Sequence, residues 1–216
     1  MRNIIFDLGG VVLDWNPDAI LQSYYADPDA RVAMNAALFQ HPDWLQLDRG
    51  VLTEAEALGR LELRTGLQTV ELAGLFEAVR TSLRPKADTL VLLESLTQRR
   101  VPLYCLSNMP ATTFAYLRER YTFWSAFRGI VISGEIKMLK PEREIFEYLL
   151  RRYELSASQT IFIDDHPPNI EAAQALGLHA ILFRNARQCE AELDHLLDDG
   201  TTSVHLTATN SDPIQH

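Results

Sequence analysis

The sequence predicts an α/β fold, with a doubly wound parallel sheet as core and an inserted helical cap domain. Three observations predict it. Five short apolar runs recur along the chain, each ending near a polar residue. Helical patterns alternate with them, which implies parallel pairing through crossovers. One long block, residues 16–84, has helical spacing and no convincing buried strand.

The runs are "NIIFD" (3–7), "VPLYCLSN" (101–108), "GIVIS" (129–133), "TIFIDD" (160–165) and "HAILF" (179–183). They are continuously apolar, as strands buried on both faces are. The helical patterns between them cover 87–100, 111–121, 143–153 and 168–177. Right-handed crossovers turn this alternation into an open sheet. Ligands of such sheets bind beyond the carboxyl ends of the strands. Asp7, Ser107 with Asn108, Ser133, and Asp164 with Asp165 stand at those ends. They are expected to gather at one edge of the sheet.

Within the helical block, Thr53 is followed three residues later by Glu56, a capping-box pattern. Hinges are expected near 13–17 and 83–87, where Pro85 interrupts the pattern. The expected organisation is a core of 1–15 and 85–197, a helical cap of 16–84 and a polar C-terminal tail of 198–216. A cap over the strand ends would exclude water and select substrate. The alternative is a stabilising helical subdomain with no gating role.

The 216 residues carry a net charge of −9, with 47% hydrophobic and 23% charged residues, the balance of an ordinary globule. No basic run exceeds an arginine pair, so no nucleic acid is expected as partner. No apolar run approaches the roughly 20 residues of a membrane span, and the N-terminus lacks a signal-peptide pattern. A cytoplasmic location, no membrane, and a monomer or homodimer are expected. Cys105 and Cys189, the only cysteines, rule out a disulfide framework or a cysteine-rich zinc site.

Adjacent carboxylates such as Asp164 and Asp165 repel and are costly to bury without a cation. A hard divalent ion with oxygen ligands, Mg²⁺, relieves that. The other reading of this stretch is a turn with Asp165 or Asn169 as helix cap. The hydroxyl of Ser107 and the amides around Asn108, ahead of a helix, suit phosphate oxygens, and they equally suit a helix cap. Lys140, fixed before Pro141, is suited to neutralise a phosphoryl group or a carboxylate nucleophile.

In this order, "FDLGGVV", "LSN", "KPE" and "IDDHPPNIEAA" resemble the motifs of the haloacid dehalogenase superfamily, over residues 3 to about 184. "DLGGV", "LDRGVLTEAEA" and "LRPKADTL" are most similar to bacterial sugar-phosphate phosphatases of the glucose-1-phosphate phosphatase type. The resemblance implies a Rossmann-like core and a Mg²⁺-dependent phosphatase of small phosphorylated metabolites. Asp7 would be the nucleophile that becomes an aspartyl phosphate. Asp7, the Gly9 carbonyl, Asp165 and Asp164 would hold the metal. Ser107 and the Asn108 backbone would hold phosphoryl oxygens, Lys140 would balance charge, and Asn169 would orient the acidic loop.

The chain departs from that pattern at Gly9, where many such phosphatases carry an aspartate as general acid and base. Three outcomes follow: a leaving group that needs little help, a takeover by Asp14 or a cap residue such as His41, Asp43 or Asp48, or an enzyme that is weak or not a phosphatase. Two alternatives to the phosphatase are a metal-independent 2-haloacid dehalogenase and a catalytically silent binding protein on the same fold. The acid pair argues against the first, because a site attacking an anionic haloacid should not add two carboxylates beside Asp7.

Overall fold

The structure, a computed structural model, describes residues 2–199. Nearly all of the expected tail at 198–216 lies outside the described residues. Five parallel strands form one sheet in the order β3-β2-β1-β4-β5. They are β1 (Asn3–Phe6), β2 (Leu103–Ser107), β3 (Phe127–Ile132), β4 (Thr160–Asp164) and β5 (His179–Leu182). The five expected runs are thus the five strands, with ends moved by a few residues.

Side chains alternate across a strand, so each strand feeds two cores. Ile4 and Phe6 of β1 join a cluster with Leu93 and Leu96 of α6 (Ala87–Gln98), Phe114 and Leu117 of α7 (Ala111–Arg120), and Leu193 of α11 (Ala186–Asp199). Ile5 points the other way, into a cluster with Ile145 and Phe146 of α9 (Arg143–Arg152) and Ile170 of α10 (Pro167–Ala175). Helices therefore cover both faces. The Pro167-Pro168 pair opens α10, because proline's missing N–H costs nothing in a first helical turn.

Between β1 and α6 the chain is helical: α1 (Pro17–Tyr24), α2 (Pro28–Ala37), α3 (Pro42–Arg49), α4 (Glu54–Thr65) and α5 (Thr69–Ser82). Each of the first three starts with a proline preceded by a polar N-cap: Asn16, Asp27 and His41. The Thr53–Glu56 capping box is formed at α4. Leu21, Met34, Leu47, Leu61 and Leu75 give this unit its own core. Its two connections to the sheet run side by side. Leu13 bridges Pro85, Asp14 N donates to Arg84 O at 2.8 Å, and Lys86 N donates to Val12 O at 2.9 Å.

The unit is also seated on the sheet edge at a second place. There the short α8 (Ser133–Ile136) follows β3. Ser133 Oγ donates to the Asp48 carbonyl at 2.6 Å, and Met109 N donates to Ser133 Oγ at 2.8 Å. Gly50 ends α3 at φ +73°, and a Cβ there would come within 2.2 Å of the Gly134 carbonyl oxygen. Only glycine meets both demands, left-handed backbone and close approach. Arg49 adds a two-bond ion pair to Glu142.

Candidate active site

β1 is the central strand, so the residue that follows it is flanked by the ends of β2 and β4. That residue is Asp7, buried at 8% exposure. Its backbone N continues the ladder to Ile163 O at 2.9 Å. Its Oδ1 accepts from Leu8 N at 2.7 Å and faces Lys140 Nζ at 2.9 Å. Among the described residues nothing donates to its Oδ2. One oxygen is thereby anchored and the other is left with free lone pairs.

Lys140 comes from the loop before α9, and its side chain is buried. It bridges Asp7 and Asp164 Oδ2, the latter at 2.6 Å. Burial works against its charge, but the two carboxylates outweigh burial and hold it firmly protonated. Its backbone is clamped by Asn108: Lys140 N donates to Asn108 Oδ1, and Asn108 Nδ2 donates to Lys140 O, both at 2.9 Å. The sequence expectation used only Asn108's backbone. Its side chain proves to be the support of the lysine loop, and a side-chain amide that pairs with the backbone N–H and C=O of one distant residue carries no sequence signal.

The acid pair divides. Asp164, the last residue of β4, is fully buried. Its oxygens accept from Lys140 Nζ, from Asn169 Nδ2 at 3.0 Å and from His166 N at 2.8 Å. Asp165 is exposed and lines the cavity above the sheet edge. Its carboxylate lies over Gly10, where a Cβ would approach within 1.9 Å of Oδ2, at φ +75°. Carboxylate oxygens of Asp7, Asp164 and Asp165 lie within 4.8 Å of one another. Ser107 is buried at the end of β2 and lines the same cavity, and its hydroxyl has no hydrogen-bond partner among the described residues. Ser133 does not reach this cluster; it ties the helical unit down instead.

The electrostatics are lopsided, with one lysine against several acids. Burial pushes the Asp7 carboxyl up to about 7; Asp164 and Asp165 add to the rise and Lys140 opposes it. Asp165, although its outer side meets solvent, is shifted upward first by the loss of water around its carboxylate and then by its neighbour Asp164.

At Gly9 the space for a side chain exists. A Cβ would make only ordinary contacts with Trp15, at 3.7 Å and beyond. Of the four residues named as replacements, three are unavailable. Asp14 is exposed and lies outside the cavity lining. Asp43 is held by Arg60 and Arg64, each at 3.0 Å, and His41 pairs with Asp43 at 3.3 Å. Asp48, at the end of α3, is buried, lines the cavity, and has no hydrogen bond to its carboxyl group among the described residues. Burial first, then the charge of Asp7, pushes it up to about 7.

A central-strand carboxylate, ion-paired with a buried lysine and roofed by an inserted helical unit, defines an α/β protein with an acid cluster at its topological switch point. The chain belongs to the haloacid dehalogenase-like hydrolase family, whose model matches residues 1–177. It is 36% identical to a sesquiterpene phosphatase of Aspergillus oryzae over 193 residues, 89% of this chain and 95% of that protein. It is 27% identical to the D-ribitol-5-phosphate phosphatase of Bacteroides thetaiotaomicron, over 92% of this chain and 99% of that one. The fold matches that of a haloacid dehalogenase-family enzyme of Bacteroides thetaiotaomicron, crystallised with magnesium and inorganic phosphate. The TM-score is 0.67 at 23% identity, covering 85% of this chain and 94% of the other. Among the described residues no helix is long and apolar enough to cross a membrane.

Proposed function

We propose that the chain is a Mg²⁺-dependent phosphatase that acts on a small phosphorylated molecule through an aspartyl phosphate on Asp7. The observation that carries this is the Asp7–Lys140–Asp164 bridge at the tip of the central strand, with Asp165 beside it. Two phosphatases among the relatives support it. The sugar phosphate expected from resemblance is one candidate within that class.

The donor set fits a hard cation, since it is all oxygen and carries more negative charge than Lys140 balances. Asp7, Asp165 and the Gly9 carbonyl would hold Mg²⁺. Asp164, with its oxygens already hydrogen-bonded, serves rather to hold Lys140. When bound, the metal supplies positive charge to the phosphoryl oxygens.

Asp7 attacks phosphorus with its free oxygen, and the bond from phosphorus to the ester oxygen breaks. Ser107 and the amide of Asn108 hold phosphoryl oxygens, and Lys140 offsets their charge. Asp48, protonated, donates its proton to the departing alkoxide. Its carboxylate then takes a proton from the water that hydrolyses the aspartyl phosphate, which frees inorganic phosphate and restores both acids.

The deciding experiment is a phosphate-release screen over phosphate esters and 2-haloacids, with Mg²⁺ or with EDTA. Phosphate release that requires Mg²⁺ is expected. Halide release that persists in EDTA, without phosphate release, would establish the dehalogenase instead.

Two further outcomes test the roles. Asp48→Asn is expected to lower kcat about 10²-fold on alkyl phosphates, whose leaving groups need a proton. On p-nitrophenyl phosphate, whose leaving group does not, the loss should be severalfold at most. Equal losses on both would remove Asp48 from the proton-transfer role.

The second outcome concerns stability. Asp7 and Asp48 titrate higher in the folded chain than unfolded, so their stabilising contribution is complete below about pH 4 and is lost as pH rises through about 7. In EDTA the unfolding temperature is therefore expected to fall between about pH 5 and pH 8. Mg²⁺ should restore it at the upper pH and change it little at the lower. A flat profile unaffected by Mg²⁺ would contradict the excess of negative charge.

A further inference from the structure

We infer that the substrate is the phosphate monoester of an extended aliphatic alcohol, whose hydrocarbon lies in the chamber between the sheet edge and the helical unit. This deepens the phosphatase reading and rests on it. The chamber measures about 960 Å³, at the upper end of the roughly 300–1,000 Å³ of small-molecule sites. Asp7, Ser107 and Lys140 take up only its floor.

Above that floor the walls include Trp15, Phe39, Trp44, Leu45, Phe76 and Val79. Trp15, Phe39 and Trp44 are only half-buried, and Leu45 is 56% exposed although it lines the chamber. This is apolar surface that the fold itself does not cover. The rings rest on one another. Trp15 stacks on Trp44 at 5.9 Å, and Phe39 meets them edge-on at 5.6 and 4.9 Å. Packed together in this way, they form a continuous apolar wall. The arginines that line the chamber are paired as well, Arg49 with Glu142 and Arg80 with Glu54 and Glu77. They do not offer a second anion site. Continuity of an apolar wall with a phosphate-binding floor calls for an amphiphile, with a phosphate head and an aliphatic tail.

The test measures phosphate release, with Mg²⁺, from n-alkyl phosphates of increasing length, glucose 1-phosphate and flavin mononucleotide. Binding of the matching alkylphosphonates is followed in parallel by tryptophan fluorescence. The expected kcat/KM rises roughly two- to fourfold per buried methylene until the chamber is full, and ends well above that for glucose 1-phosphate. Leu45→Asp, at an exposed position that folding tolerates, is expected to lower kcat/KM at least tenfold more for decyl than for ethyl phosphate. A flat chain-length series, or preference for the sugar or flavin phosphate, overturns the inference and leaves the phosphatase reading standing. Phosphonate binding that tightens with length, without phosphate release from any ester, upholds the apolar chamber and overturns the phosphatase reading. Absence of both overturns both.

Discussion

Asp7→Asn is expected to abolish turnover, with kcat falling by about 10⁴-fold or more, while the fold is kept. An amide has no charge with which to attack phosphorus, and it is a poor ligand for a hard cation. The stability expectation runs opposite to most buried substitutions. Asp7 is a buried carboxylate beside Asp164 and Asp165, pushed up to about 7, so at neutral pH its charge is a strain on the fold. Asparagine keeps the shape and can still accept from Leu8 N, whose bond to Oδ1 measures 2.7 Å. In metal-free buffer at pH 8 the variant should unfold at the same temperature as the native chain or higher. Near-native activity in the variant would mean that another group is the nucleophile.

Lys140→Met is expected to lose both activity and stability. The methionine fills the same buried channel but leaves Asp7 and Asp164 facing each other without a cation. Removing one partner of a buried ion pair costs about 3–5 kcal/mol. Turnover should fall by roughly 10³-fold, in the range seen when a group that stabilises developing charge is removed. The defect has a pH signature. Lys140 is the charge that opposes the upward push on Asp7, so without it Asp7 titrates still higher in the folded chain, and stability is lost as pH rises and regained as pH falls. Thermal unfolding should therefore separate variant from native most at pH 8 and least near pH 5. A separation independent of pH would point to lost packing and not to lost charge compensation.

Much of this site was legible in the chain. Asp7, Ser107 and Asp164 each stand where an apolar run stops, and each is found at a strand end of one parallel sheet. Lys140 before Pro141 was legible as a positioned cation. What was not legible is how these groups divide their work. The side chain of Asn108 supports the lysine loop across 32 residues of sequence. Asp48, one of four replacements named for the missing acid, is the one left facing the cavity. His41 and Asp43 pair with each other, and Asp43 also pairs with two arginines. The aromatic wall combines Trp15 from the connection after β1 with Phe39, Trp44 and Phe76 from the helical unit. Helical periodicity marks such residues as core and says nothing about which are left uncovered.

The sequence by itself determined the alternation of strand and helix, the parallel sheet, the helical insertion and the polar residue at each strand end. These are local properties, carried by apolar period, caps and breakers within a few residues. The tertiary structure decided which oxygens meet. Successive side chains at a strand end point to opposite sides, so Asp164 turns inward to Lys140 while Asp165 turns out to the cavity. It also decided that Asp48 lines the same cavity as Asp7. That depends on the close seat of Gly50 on Gly134 and on Ser133 holding the Asp48 carbonyl. Such contacts join residues more than eighty positions apart, and only the packed chain brings them within hydrogen-bonding distance.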